Sequence, residues 1–136
     1  MAQNFVFYEL PNNNVNEASI PISTTPIPLA SLTLDAAPDS VITLRSNVGW
    51  QAVLGGRTNV LFKLWRGAPI TGSLICSAEE SAESSFDRYR VTSFLHVDSG
   101  FTTSQRITYI LTVETPDVGR TVNVIGPVTI TAKLRN

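Results

Sequence analysis

A chain of 136 residues suits one domain, and a hydrophobic content of 43% is enough to fill its core. Charged residues make up only 15%, against about 25% in an ordinary soluble domain. The surface must therefore be largely Ser, Thr, Asn and small apolar side chains, which tolerate repeated protein contact. The net charge of −1 gives no electrostatic reason to bind nucleic acid or an anionic membrane.

The first segment, Asn4 to Leu10, reads as a strand with Phe5 and Phe7 on one face and Val6, Tyr8 and Leu10 on the other. Both faces are apolar, so the strand needs cover on both sides. Pro11 and the asparagines from 12 to 14 end it, and a polar connector follows. Pro21, Pro26 and Pro28 cannot all donate into a central ladder, so Ser19 to Pro28 is an edge segment or linker. Leu29 to Leu34 form a weakly alternating strand, and Ala36 to Ser40 a turn.

From Val41 to Pro69 two alternating runs flank Gly55 and Gly56. The pattern predicts a hairpin with Val48, Trp50, Val60, Phe62 and Leu64 inward, Trp65 outward, and positive φ at the glycine pair. Ile70 to Cys76 is a short strand. Ala78 to Ser85, acidic and small, reads as a loop. In the run from Phe86 to Val97, Tyr89, Val91, Leu95 and Val97 share one face. Phe94 and His96 lie on the other, more polar face. Arg106 to Glu114 is the cleanest strand, with Ile107, Tyr109, Leu111 and Val113 inward. Thr121 to Ile125 is a short strand broken by Gly126 and Pro127, and Val128 to Arg135 is the last. The sum is eight or nine strands at the spacing of a sandwich or barrel.

Chemistry is thinly represented. Ser93, His96 and Asp98 are close in sequence, but Ser93 and His96 point to opposite faces of one strand, which separates nucleophile from base. Glu79, Glu80, Glu83 and Asp87 form an acidic patch without the glycine-containing spacing of a calcium loop. One His and one Cys do not make a zinc site within one subunit. Arg88, Arg90 and Arg106 have few aromatics beside them and no basic excess, against nucleic-acid binding. Cys76 is the single cysteine; it cannot form an internal disulfide, and a half-buried strand residue is the ordinary reading. No apolar run approaches the ~18 residues of a membrane span. The N-terminal stretch lacks a basic start with a long apolar run, so no Sec signal is expected. These readings predict no enzyme, no cofactor, no metal, no nucleic-acid partner and no membrane. Tyr8, Trp65 and Phe94 are large side chains on faces that otherwise read polar, placed there for a covering sheet or a subunit interface.

The stretches ITLRSNVGWQAV, TNVLFKLWRGAPI, RVTSFLHVD, TYILTVE and NVIGPVTITA, between Ile42 and Ala132, resemble the exosporium protein C-like family of spore-surface proteins from Bacillus-type bacteria. The resemblance implies a jelly-roll β-sandwich of the tumour-necrosis-factor/C1q-like type, commonly trimeric, on the exosporium or in endospore appendages. Such proteins are made in the mother cell and need no Sec signal. The collagen-like Gly-X-Y stalk of the hairy nap is missing here.

The resulting expectation is an N-terminal arm over residues 1–18 and a jelly-roll domain over 19–136. The chain would be a structural, self-assembling subunit of a spore-surface fibre or layer. Trimers would stack as the arm inserts into a neighbouring subunit by strand addition. The contact residues would be Phe5, Val6, Phe7, Tyr8, Leu10, Trp65 and Phe94, and other spore-surface proteins would be further partners. The competing expectation is a binding module, either a phage or spore-surface receptor-binding knob or a carbohydrate-binding jelly roll.

Overall fold

The computed structural model describes residues 3–10, as backbone only, and residues 20–135. Strand follows strand: β1 (Gln3–Leu10), β2 (Ile20–Pro21), β3 (Ile27–Ala36), β4 (Val41–Leu54), β5 (Arg57–Arg66), β6 (Ser73–Glu83), β7 (Tyr89–Asp98), β8 (Gln105–Glu114) and β9 (Thr121–Arg135). One sheet has the order β1-β9-β4-β7, with β2 on the same edge of β9 as β1; the other has the order β3-β8-β5-β6. Every pairing is antiparallel.

Successive strands from β2 onward change sheet at nearly every connection; β5 and β6 form the one hairpin among these described strands. That connectivity makes the chain a jelly-roll β-sandwich. Its core is the set of inner faces. Val48, Trp50, Val60, Phe62, Leu64, Tyr109, Leu111, Val113, Val128 and Ile130 are fully enclosed. Trp50 and Phe62, from opposite sheets, meet with ring centroids 6.4 Å apart, a tilted contact across the thickness of the sandwich.

Four expectations change. The run around Gly55 and Gly56 is not a hairpin, because β4 pairs with β7 and β9 while β5 pairs with β6 and β8. The glycines, at φ 105° and 84°, turn the chain from one sheet to the other. The inward residues were legible because the alternation on each strand does not depend on which strand lies beside it.

Residues 78–83 are strand, not loop. They complete β6 along β5, with Phe62 opposite Ala78 and Thr58 opposite Ala82. The inward side chains Ala78 and Ala82 are small, and that masks the usual alternation. Ile70, expected in this strand, lies in the preceding turn with φ 70°.

Gly126 and Pro127 do not break β9, which runs unbroken to Arg135. The irregularity is a bulge on β9: Val48 pairs with Val128 and Trp50 with Val124, so Ile125 to Pro127 face Gly49 alone. There a Cβ on Gly49 would lie 2.2 Å from the Gly126 carbonyl oxygen. Position 49 therefore admits only glycine without backbone movement.

The fourth change is the orientation of β7. Its inner face carries Thr92, Phe94 and Asp98, and its outer face carries Tyr89, Val91, Leu95 and Val97. The more hydrophobic side of the strand faces away from the core.

Candidate assembly surfaces

Polar groups in the core explain the orientation of β7. The Trp50 indole N–H, enclosed between the sheets, needs an acceptor, and Thr92 Oγ1 supplies it at 2.8 Å. The Thr92 hydroxyl in turn donates to Glu80 of β6. At the other end of the strand, Asp98 is buried and accepts the Tyr109 hydroxyl at 2.6 Å and the Arg66 Nε at 3.1 Å. The Arg66 guanidinium also lies over Phe101, 5.1 Å from the ring centre, a cation–π contact. Burial, and then the Asp98 hydrogen bond, push the Tyr109 phenol well above its ordinary range. A hydropathy pattern cannot anticipate this cluster, since its members come from β5, β7 and β8.

The β6–β7 side of the sandwich is closed by Arg90. It ion-pairs with Asp87, reaches Glu80 at 3.6 Å and donates to the Ser81 carbonyl oxygen at 3.2 Å. The hydrogen bond from Arg90 holds the Asp87 carboxyl below its usual range. The acidic patch expected as a solvated loop is thus partly a clamp. Glu80 and Asp87 take Arg90, whereas Glu79 points outward from the strand.

The expected contact residues fall in three separate places. Phe5, Val6, Phe7, Tyr8 and Leu10 lie on β1, opposite Lys133, Ala132, Thr131, Ile130 and Val128 of the chain's own β9. Their side chains lie outside the described residues. Trp65 lies outside the core cluster, as its position on β5 predicts, but it is only 7% exposed. Its Nε1 donates to the buried Thr112 Oγ1 at 2.9 Å. The expected surface tryptophan is thus covered within its own subunit. Phe94 faces the core, 6.4 Å from Phe62 between ring centroids. Of the two roles its sequence position allows, cover by the facing sheet is the one its ring takes here. No common surface unites β1, Trp65 and Phe94.

Ser93 is exposed on the outer face of β7, where its hydroxyl donates to Asn47 Oδ1 at 2.6 Å; Asn47 Nδ2 donates onward to Thr129 at 2.9 Å. His96 is on the inner face, opposite Leu44. Asp98 is committed to Arg66 and Tyr109. The three residues do not converge. Among the described residues no group of three or more His, Cys, Asp or Glu side chains could hold a metal ion. Cys76 lies opposite Leu64, half-buried, and burial raises its thiol above the usual range. No described helix is long and apolar enough to cross a membrane.

No family model matches the chain, and no curated protein matches it. Its likenesses are to solved structures. The structure of infectious bursal disease virus Gx strain aligns over 98% of this chain and 32% of that one, with 11% identity and a TM-score of 0.53. Dimeric latent PorU from Porphyromonas gingivalis aligns over 98% of this chain and 13% of that one, with 13% identity and a TM-score of 0.52. A structure of Bacillus endospore appendages, described as a family of disulfide-linked pili, aligns over 97% of this chain and 85% of that one, at 11% identity and a TM-score of 0.40. The chain spans about a third of the length of the viral chain it matches. At such identities the likeness shows the jelly-roll fold alone.

Proposed function

We propose that the chain is a structural, self-assembling subunit of a spore-surface fibre, in which trimeric jelly rolls stack as β1 of one copy occupies the β9 edge of the next. The role is one of assembly rather than catalysis. The sequence texture between Ile42 and Ala132 and the low charge support it.

The observation that carries the reading is the relation of β1 to β2. Both lie along one edge of β9 and run in the same direction. Leu10 sits opposite Val128 and Ile20 opposite Val124. Four residues of strand rise only about 13 Å. Yet nine residues, 11–19, connect Leu10 to Ile20, and nine extended residues reach up to ~30 Å. The connector is far longer than the gap it bridges. It has the length to deliver β1 to the equivalent edge of another copy in the same register. Pairing of that kind satisfies the edge of β9 whichever chain supplies the strand. Repeated from copy to copy without closing, it builds a filament.

The test is deletion of residues 1–10. The shortened chain should keep the circular dichroism of a β-sandwich and form no filaments by negative-stain microscopy. A peptide of residues 1–10 should compete with assembly of the full chain. Filaments from the deletion variant would overturn the reading.

A further inference from the structure

Residues 128–135 of β9 have no free edge in the single chain. On one side they pair with residues 41–48 of β4. On the other they pair with β1 over its whole length, from Leu10 opposite Val128 to Gln3 opposite Arg135. A backbone N–H or C=O in such a ladder already has its partner, so a second strand finds nothing there to bind. The strand that a copy would donate is also the strand that covers its own acceptor edge. One pairing blocks both.

A neighbour cannot take that edge by mass action alone. The nine residues 11–19 tether β1 to the rest of its chain, and a short tether sets an effective concentration in the millimolar range. Against free chains at about 1 μM, a chain's own β1 is favoured by about 10³. Both pairings make the same ladder, so no backbone hydrogen bond offsets that factor. A filament gains only through contacts between copies that a single chain lacks. Those contacts form after β1 has left its own edge.

We infer that β1 caps its own chain, so that single chains are closed and only filament ends grow. The inference rests on the self-assembly reading and adds to it how assembly starts. In a stack, the β9 edge of each copy holds the strand of the copy before it. The copy at one end therefore has a β1 with no edge of its own left to occupy. The copy at the other end has an empty edge and no β1 to close it. Neither end can cap itself. A closed chain joins such an end by opening once, whereas without an end two closed chains must open together. Growth is thus nucleated, and the opening of β1 from β9 is the step that holds it back.

The experiment locks β1 in place. Phe7 and Thr131 are direct partners, and opposed Cα atoms of an antiparallel pair lie about 4.5–5.5 Å apart, within the span of a disulfide. Cys76 is the single cysteine of the chain, so the variant C76S/F7C/T131C carries one internal pair. It is oxidised as a dilute single chain, checked by sedimentation at the 14.8 kDa of one copy. Light scattering and negative-stain microscopy then compare it with C76S alone, with and without sonicated filament fragments. C76S should assemble after a lag that the fragments abolish. The oxidised variant should not grow even on fragments, and reduction should restore growth. A C76S chain that assembles without a lag while the oxidised variant stays single overturns the capping and leaves strand exchange standing. Filaments from the oxidised variant, or none from either C76S or the parent chain, overturn both.

Discussion

Tyr109 on β8 and Asp98 at the end of β7 share a hydrogen bond of 2.6 Å between the two sheets, and Arg66 from β5 completes it. A carboxylate taken out of water is tolerated only when paired and hydrogen-bonded. Here two donors from one sheet hold an acceptor from the other.

The first prediction concerns pH. The Tyr109 phenol is raised in the folded chain above its unfolded value of about 10. The unfolded state therefore loses its proton first as pH rises. By linkage, the stability from this group is complete below about pH 10 and is lost progressively above it. Tyr109→Phe should lower stability by about 1.5–3 kcal/mol near neutrality, the range for a hydrogen bond to a charged group. It should also flatten the alkaline decline. Urea midpoints from pH 7 to 11 for both chains measure this, and parallel curves above pH 10 would refute it.

Gly49→Ala supplies the second prediction. The added methyl meets the Gly126 carbonyl oxygen, and backbone rather than a flexible side chain must move. Overpacking of this kind costs about 1–3 kcal/mol. Both residues sit where the β4–β9 register shifts, so the loss should appear as faster hydrogen exchange at amides flanking Gly49 and Gly126. Unchanged exchange and an unchanged urea midpoint would count against the contact.

How far the sequence carried the fold depended on the kind of residue. Strand β8 was legible because Ile107, Tyr109, Leu111 and Val113 alternate with neighbours that are polar except for Ile110, and all four are buried. Strand β6 was hidden because Ala78 and Ala82 are small and Glu80 turns inward to receive Thr92. Strand β7 was inverted because hydropathy scores Thr92 as a surface residue and Val91 as a core one. The Trp50 indole N–H decides otherwise, and its position is known only once two sheets are stacked. The surface residues were the least legible. Trp65 reads as exposed until Thr112 is placed beside it, and the apolar row on β7 reads as core until the strand is turned over.

Trp65 gives the third prediction. Its N–H bond to Thr112 is buried, so Trp65→Phe should cost about 1–3 kcal/mol by leaving the Thr112 hydroxyl enclosed with one partner fewer and losing packing. Thr112→Val in the same chain should recover part of that loss. Filaments, if they depend on β1, should still form once the variant is folded. Electron microscopy showing intact subunits that no longer associate would return Trp65 to the interface.

The last prediction asks whether the Trp50–Thr92 bond sets the direction of β7. Thr92→Val removes the acceptor and leaves the indole N–H enclosed without a partner, at about 1–3 kcal/mol. Trp50→Phe removes the donor instead, and packing makes its cost larger. If the bond matters as a pair, the double variant W50F/T92V should cost less than the two single losses added together. Neighbours in one network couple by about 0.5–3 kcal/mol. Urea unfolding of the four chains closes this cycle. A coupling of zero would mean that β7 keeps its polar face inward for reasons other than the indole, leaving the Asp98 cluster as the feature that holds the apolar row outside.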